Sequence, residues 1–252
     1  MNLKQDHTKV RKWIKGLLMS EYKSWPLGHL PPELQRPELE QLRKNGYNFK
    51  DPRDVVAMFE NKVAKFAGAK YGIATDCCSH GLFLALKWYK DKMKMITTHV
   101  HIPRYTYCSV PMQIKHAGFE PVFDDLNWSG IYQLKPFDIF DGAVRWTKGM
   151  YKGGFHVVSF QLKKRIPIGR GGMILTDNKE AADWFRKMTY DGRDLTIKYM
   201  DDDFEYCGYH YYMTPEDAAR GILLMDQIPK KNLDSGNNRT YSDLSNIRIF
   251  NE

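Results

Sequence analysis

The sequence predicts an α/β protein in which a largely parallel sheet is flanked by helices. Short apolar runs alternate with segments of helical apolar spacing between residues 51 and 228. This alternation is typical of strands that are joined through helices and therefore run in parallel. The composition agrees, because 42% hydrophobic residues, with 13% aromatic residues, in a chain of 252 suffice for a substantial packed core.

The helices are predicted from apolar spacing and from residues that start or stop helices. Val55, Phe59, Val63 and Phe66 fall on one helix face, and Gly68 ends that helix. A second helix is predicted after Ser79, which could cap it. Further helices are predicted for residues 109–117, 179–190 and 215–228.

Strands are predicted where short apolar runs stand between turn signals. They cover Tyr71–Thr75, Ile96–Ile102, Pro121–Phe123, Phe137–Phe140, Phe155–Ser159 and Gly172–Thr176. Residues 1–50 are polar and punctuated by proline, so a short helix followed by loops is expected there. The last twenty-odd residues are polar and weakly patterned, and no element is predicted for them.

Charge and cysteine content narrow the functional classes. The net charge of +8 suits an anionic partner, but the basic residues are dispersed and form no long tail. Four cysteines without a C-x-x-C pair argue against a disulfide framework or a structural zinc site. A soluble, cytoplasmic protein is expected, since no apolar run could span a bilayer and the first residues lack a signal-peptide core.

Polar or aromatic residues follow the predicted strands at the sheet edge where α/β proteins bind ligands. The amides of Cys77-Cys78-Ser79 could hold a phosphate at a helix N-terminus, although Ser79 could simply be a cap. Tyr105-Thr106-Tyr107 could form a stacking platform or a core rim. Asp141 follows a strand, and Ser159 leads into Lys163-Lys164. Each feature alone is explained as well by an ordinary turn, cap or surface residue.

Taken in order, these features resemble the DegT/DnrJ/EryC1/StrS family, the sugar aminotransferases among the fold type I enzymes that use pyridoxal 5'-phosphate. The similar stretches are Phe59–Gly72, Leu82–Leu86, Ala117–Asp125, Ser159–Thr176 and Gly208–Met213. The resemblance implies a mostly parallel central sheet flanked by helices in a cofactor-binding large domain over residues 51–228. Residues 1–50 precede this domain, and 229–252 are expected to be a short remnant of a truncated C-terminal small domain.

The resemblance also implies roles for single residues. Lys164 would form the Schiff base with pyridoxal 5'-phosphate, and Asp141 would pair with the pyridine nitrogen. Lys163 is out of register with Ser159 and is expected to be a surface lysine. The cofactor-binding set is expected to be Cys78, Ser79, Tyr107, Asp141, Ser159, Lys164 and His210.

Within that set, Tyr107 would stack on the ring, while Cys78, Ser79 and Ser159 would hold the phosphate. His210 stands where the family usually has Asn and would reach the phosphate from the neighbouring subunit. A homodimer with shared active sites is therefore expected.

Besides His210, four positions depart from the family pattern. Val144 stands where Gln or His is common near the ring hydroxyl of the cofactor, and it cannot hydrogen-bond. Cys78 replaces Gly, Gln161 replaces a common His, and Tyr212 replaces the usual Arg. These departures bear on sugar specificity more than on cofactor binding.

The implied reaction is a transamination. An amino acid, in this family usually L-glutamate, would donate its amino group through a pyridoxamine phosphate intermediate to a keto-sugar nucleotide. The alternative is a non-catalytic or divergent relative that binds the cofactor and acts as a regulator or on a non-sugar substrate. A nucleic-acid-binding protein ranks last, because the sequence shows neither a recognition motif nor a dense basic stripe. No metal and no membrane partner is expected.

Overall fold

Seven strands organise the protein, which a computed structural model describes over residues 36–251. The strands are β1 Tyr71–Thr75, β2 His99–Pro103, β3 Glu120–Asp124, β4 Tyr132–Gln133, β5 Ile139–Asp141, β6 Phe155–Ser159 and β7 Gly172–Thr176. Five of them form one sheet in the order β1-β7-β6-β5-β4, and β2 pairs with β3. The predictions made for residues 1–35 lie outside the described residues.

The five-stranded sheet is mixed in direction, whereas the sequence predicts a largely parallel one. β7 lies between β1 and β6 and pairs antiparallel with both, so β1 and β6 point the same way. β5 is parallel to β6, and the short β4 runs antiparallel to β5. The carboxyl ends of β1, β5 and β6 therefore meet at one edge of the sheet, beside the amino end of β7. This is the edge at which ligands of α/β proteins bind.

Six α-helices are present in the described residues. They are α1 Glu38–Lys44, α2 Asp54–Ala67, α3 Cys78–Lys87, α4 Ser109–His116, α5 Lys179–Thr189 and α6 Pro215–Met225. α2 ends at Gly68, which takes the left-handed conformation at φ 89°. α6 begins after Thr214, whose side chain accepts from the amide of Asp217. No helix between residues 36 and 251 has the length and hydropathy to cross a membrane.

Two apolar clusters cover the two faces of the sheet. Alternation along β6 directs Phe155 and Val157 into one cluster and Val158 into the other. α3 and α5 contribute to the first cluster, whereas α2 and α6 contribute to the second. Phe59 of α2 is fully buried, and burying such a side chain contributes about 1.5–3 kcal/mol. The helical spacing found in the sequence is thus the contact face of α2.

Three predicted boundaries are wrong. β2 begins at His99 rather than at Ile96, whose side chain is 96% exposed. β5 begins at Ile139, because Phe137 lies in a turn in which its amide donates to the carbonyl of Leu134. α3 begins at Cys78, and its N-cap is Cys77 rather than Ser79. In the two strands local apolarity was a poorer guide than the hydrogen bonds that the backbone makes. At α3 the capping preference of serine was misleading, because the sulfur of Cys77 takes that place.

Candidate active site

A cavity of about 550 Å³ lies at the sheet edge where β1, β5 and β6 end. Among its lining residues are six of the seven that the family resemblance singles out: Cys78, Ser79, Tyr107, Asp141, Ser159 and Lys164. They come from separate parts of the chain, and the fold brings them to one place.

The N-terminus of α3 forms one wall of the cavity. Its first turn has free backbone N–H groups, and the helix dipole adds a partial positive charge, so it suits an anion. The Cys77 sulfur accepts from the amide of His80 and caps the turn. β7 passes so close to this turn that a Cβ on Gly172 would collide with the backbone of Cys78. Glycine at position 172 is therefore required for the turn to sit where it does.

Ser79 lies inside the first turn of α3 and not at its cap. Its hydroxyl is 2.7 Å from the hydroxyl of Ser109, the first residue of α4. Both hydroxyls line the cavity. The pair therefore places two groups that can donate to a phosphate beside the N-terminus of α3.

Asp141 ends β5 and is only 6% exposed. One carboxylate oxygen accepts from the amide of Ala143 at 2.9 Å, and the other accepts from the Tyr132 hydroxyl at 2.7 Å. Burial raises the pKa of Asp141 above its ordinary value, although these two hydrogen bonds and the charge of Lys164 act in the opposite direction. A cation placed beside this carboxylate would lower its pKa again.

Tyr132 was not identified from the sequence. Its hydroxyl bridges Asp141 and the hydroxyl of Thr106, which lies 2.5 Å away. Burial raises the pKa of Tyr132 well above its ordinary value, so the phenol stays protonated and donates. The Tyr132 hydroxyl, itself hydrogen-bonded to Thr106, thus fixes the orientation of the Asp141 carboxylate. Each carboxylate oxygen still has a lone pair for a ligand, because an ionised carboxylate accepts about four hydrogen bonds.

Lys164 and Lys163 both line the cavity. Lys164 is half-buried, and Lys163 is exposed. The Lys164 ammonium has no hydrogen bond or ion pair with any residue between 36 and 251, and its charge acts on both Asp141 and Cys78. The structure thus offers Lys164 as a sheltered amine and Lys163 as a surface residue, in the order that the sequence predicts. The role of each stays a prediction.

Apolar and aromatic side chains complete the walls. The Tyr107 side chain is 59% exposed at the cavity, and Val144 and Trp128 are buried in its wall. Val144 packs against Gly236, where an added Cβ would come within 3.1 Å of it. The departure at position 144 therefore places an apolar contact, and no hydrogen-bond donor, beside Asp141.

The charges that line the cavity favour an anionic ligand. Lys163, Lys164 and Arg170 are the cations among the lining residues, and Asp141 is the single carboxylate. Arg170 is itself paired with Asp76, at 2.6 Å. Even with that pair discounted, two lysines face one buried acid, which suits a phosphorylated molecule.

In the described part of the chain, one group of side chains has the residue types and spacing of a metal site. Ligand atoms of Asp76, Cys77 and His80 lie within 4.8 Å of one another. Burial alone would lower the pKa of His80, but its hydrogen bonds to Asp76 and Cys77 outweigh burial and raise the pKa to about 9. At neutral pH His80 therefore forms an ion pair with Asp76, and a metal ion would have to displace the imidazole proton to bind here.

His210 is the one predicted residue that does not line the cavity of its own chain. Its side chain is 69% exposed, and Nδ1 lies 2.9 Å from a carboxylate oxygen of Asp191. An isolated β-bridge to Tyr190 fixes its backbone. This position is compatible with contact to a second subunit, which is the role the resemblance implies and which stays a prediction.

The comparison with known proteins identifies the family. The sequence matches the DegT/DnrJ/EryC1/StrS aminotransferase family over residues 34–139 and 147–241. The chain therefore belongs to this family, and the predicted membership is confirmed. Asp141 and Val144 lie in the short stretch between the two matched segments.

Two curated relatives and a solved structure illustrate the similarity. The chain is 27% identical to the uncharacterized protein MJ1066 of Methanocaldococcus jannaschii, over 65% of this chain and 55% of the relative. It is 26% identical to the spore coat polysaccharide biosynthesis protein SpsC of Bacillus subtilis, over 76% of this chain and 61% of the relative. It thus spans somewhat more than half the length of these relatives.

The solved structure is that of Helicobacter pylori PseC, an aminotransferase involved in the biosynthesis of pseudoaminic acid. It superimposes with a TM-score of 0.61 at 12% identity, over 77% of this chain and 63% of that one. At this identity the likeness concerns the fold. The predicted fold class, the α/β fold of the pyridoxal-phosphate-dependent transferases, is confirmed.

Proposed function

We propose that the protein is a pyridoxal-phosphate-dependent sugar aminotransferase. It would transfer an amino group from an amino acid, with L-glutamate as the expected donor, to a keto-sugar nucleotide. The observation that carries the proposal is the convergence of Asp141, Lys164 and the N-terminus of α3 on one cavity of about 550 Å³. A buried acid, a sheltered amine and an anion-binding turn match the three chemically distinct parts of this cofactor.

The phosphate would be held at the N-terminus of α3. The donors would be the backbone amides of Cys78 and Ser79 and the hydroxyls of Ser79, Ser109 and Ser159, all of which line the cavity. The buried Cys78 side chain stays a neutral thiol, since burial raises its pKa well above the ordinary value. No negative charge from this residue therefore opposes a phosphate.

The ring nitrogen would be held by Asp141. Because this carboxylate is buried and its pKa is raised, a protonated ring nitrogen would relieve the cost of burying a negative charge. Tyr132 and the amide of Ala143 hold the carboxylate in place before the ligand arrives. This is a positioned acceptor for a cationic nitrogen.

Lys164 would hold the cofactor covalently through its Nζ atom. When bound, the cofactor supplies an aldehyde carbon for amine exchange and a ring that withdraws electrons from the substrate. Once free of the cofactor, the Lys164 Nζ would take the proton from the substrate α-carbon and return it. The Tyr107 ring would cover one face of the cofactor ring and exclude water from it.

The substrate class rests on the relatives. One is named for spore coat polysaccharide biosynthesis, and the similar solved structure is an aminotransferase in the biosynthesis of a sugar acid. The cationic lining of the cavity, with Lys163 and Arg170 beside Lys164, supports an anionic acceptor such as a sugar nucleotide. A homodimer with shared active sites and a cytoplasmic location complete the proposal.

The proposal is tested by titrating purified protein with pyridoxal phosphate. We expect a visible absorbance band that borohydride bleaches, because hydride reduces the imine to a stable secondary amine. Peptide mass mapping should then locate the added mass on Lys164. Lys164→Ala should abolish the band, whereas Lys163→Ala, the matched control one residue away, should keep it. A band that survives in Lys164→Ala, or added mass on Lys163, would refute the lysine assignment.

A further inference from the structure

The C-terminal segment, defined here as Leu233–Leu244, forms part of the cavity wall although the sequence shows no pattern in it. Asp234 makes two hydrogen bonds to the Arg145 guanidinium, at 2.9 and 2.7 Å. The amide of Ser235 donates to the carbonyl of Val144 at 2.8 Å. Leu244 is tied at the other end by its amide, which donates to the carbonyl of Arg104 at 2.9 Å. The segment is thus anchored on both sides of the cavity.

Between these anchors, Tyr241 lies in the cavity wall. Its ring is stacked with that of Trp128, with centroids 5.8 Å apart and planes at 24°. The ring is therefore held by an aromatic contact that does not involve the hydroxyl. Removal of the hydroxyl alone should leave this packing intact.

The Tyr241 hydroxyl differs from most other hydroxyls of the cavity wall in its hydrogen bonding. Apart from Tyr107 and Tyr241, every hydroxyl in the cavity wall has a hydrogen bond to another residue between 36 and 251. These hydroxyls belong to Ser79, Thr106, Ser109, Tyr132, Ser159, Ser235 and Thr240. The Tyr107 side chain is 59% exposed, whereas Tyr241 is half-buried. Tyr241 is thus the sheltered hydroxyl of the cavity that has no partner among the described residues.

The chemistry of the cofactor leaves one polar atom for this hydroxyl. Phosphate, ring nitrogen and aldehyde carbon are assigned to the N-terminus of α3, Asp141 and Lys164. The ring oxygen has no partner among the residues next to Asp141, since Ala143 and Val144 have apolar side chains. We infer that the Tyr241 hydroxyl donates a hydrogen bond to the ring oxygen of bound pyridoxal phosphate. This inference rests on the proposed function.

The ionisation of Tyr241 suits a donor. Burial, followed by the negative charge of Asp141, raises the pKa of Tyr241 to about 12. At neutral pH the phenol therefore keeps its proton and can donate it toward the ring oxygen. Tyr241 is a positioning residue in this account, with no proton transfer of its own.

The test compares the dissociation constant of pyridoxal phosphate for wild-type protein, Tyr241→Phe and Tyr199→Phe. Tyr199 is 62% exposed and lies outside the cavity, so it is the matched control. Loss of a hydrogen bond of ordinary strength should weaken binding about tenfold in Tyr241→Phe and leave Tyr199→Phe unchanged. The melting temperature should not change, because the stack with Trp128 is kept.

A cofactor analogue that lacks the ring oxygen completes the cycle. The analogue should bind wild-type protein about as weakly as pyridoxal phosphate binds Tyr241→Phe. Wild-type protein and Tyr241→Phe should have the same dissociation constant for the analogue. Equal affinity of wild-type protein and Tyr241→Phe for pyridoxal phosphate would overturn the inference and leave the proposed function standing. The same would follow if Tyr241→Phe weakened binding of the analogue as much as binding of pyridoxal phosphate. No binding of pyridoxal phosphate to wild-type protein would overturn the proposed function itself.

Discussion

At the scale of single residues, His156 is the most exceptional side chain outside the candidate site. It lies in β6 with no exposed surface, and neither ring nitrogen has a hydrogen-bond partner among residues 36–251. A Cβ on Gly142 would collide with this ring. Burial, together with the charges of Arg145 and Lys152, lowers the pKa of His156 to about 3. The folded protein therefore holds this imidazole neutral.

This depressed pKa predicts a loss of stability in acid. Above about pH 6.5 the imidazole is neutral in both states and contributes no pH dependence. Between about pH 6.5 and 3 the unfolded state binds a proton that the folded state excludes. The free energy of unfolding therefore falls by about 1.4 kcal/mol for each unit by which the pH is lowered.

Urea denaturation at several pH values measures this slope in wild-type protein and in His156→Phe. The slope should be shallower by about one proton in the variant, and His116→Phe, a change at an exposed histidine, should keep the wild-type slope. Identical slopes in wild-type protein and His156→Phe would contradict the assignment.

The location of a residue could be predicted where it follows a strand end, although its role stays a prediction. Asp141 and Ser159 were predicted because each closes an apolar run, and the fold places both in the cavity. Tyr132 and Tyr241 were missed because they carry no local signal. Tyr132 belongs to a strand of only two residues, and Tyr241 to a polar segment. Their contacts with Asp141 and Trp128 depend on chain folding that apolar spacing does not encode.

At the scale of elements, the C-terminal segment is predicted to be held chiefly by its ion pair. The Arg145 and Asp234 side chains are 22% and 21% exposed, and the guanidinium holds the pKa of Asp234 below its ordinary value. Asp234→Ala should lower the free energy of local opening of residues 233–244 by about 1–2 kcal/mol. Pyridoxal phosphate should bind several-fold more weakly, because Tyr241 is then held less firmly.

Hydrogen exchange read by mass spectrometry measures that opening. Exchange should accelerate in residues 233–244 and stay unchanged in β6, which belongs to the sheet. Asp203→Ala, at an exposed carboxylate, is the matched control. Unchanged exchange in the segment, or acceleration across the whole protein, would contradict a local role for the ion pair.

The helices were predicted more accurately than the strand directions. α2 ends immediately before Gly68, as predicted, and α5 falls within one residue of its predicted bounds, because end signals and amphipathic spacing act locally. β7 runs antiparallel to both of its neighbours, although the sequence predicts a largely parallel sheet. Its residues are all buried, and a buried apolar run is the same signal whether the strand runs up or down. Only pairing with β1 and β6 decides the direction.

At the scale of the whole molecule, the expected dimer has a direct test. If His210 completes the site of a neighbouring subunit, Lys164→Ala and His210→Ala chains fail for different reasons. A mixture of equal amounts should form hybrid dimers with one intact site. Random exchange then restores roughly a quarter of the wild-type sites, since half the dimers are hybrids with one good site each.

Transaminase activity of the refolded mixture is the readout, with each variant refolded alone as its control. No recovery in mixtures that contain hybrid dimers would contradict a shared site. Full activity of His210→Ala alone would show that His210 has no role in the active site. The exposed position of His210 beside Asp191 makes either outcome informative, because the substitution disturbs no buried contact.

The central claim concerns chemistry rather than fold, since the fold and the family membership are settled by the comparisons. The most direct measurement is the absorbance spectrum of wild-type protein with bound pyridoxal phosphate, before and after addition of L-glutamate. The account predicts a visible band that L-glutamate converts to the shorter-wavelength absorbance of the aminated cofactor, with release of 2-oxoglutarate. A visible band that no amino acid alters would contradict the aminotransferase and leave a cofactor-binding relative without transfer activity.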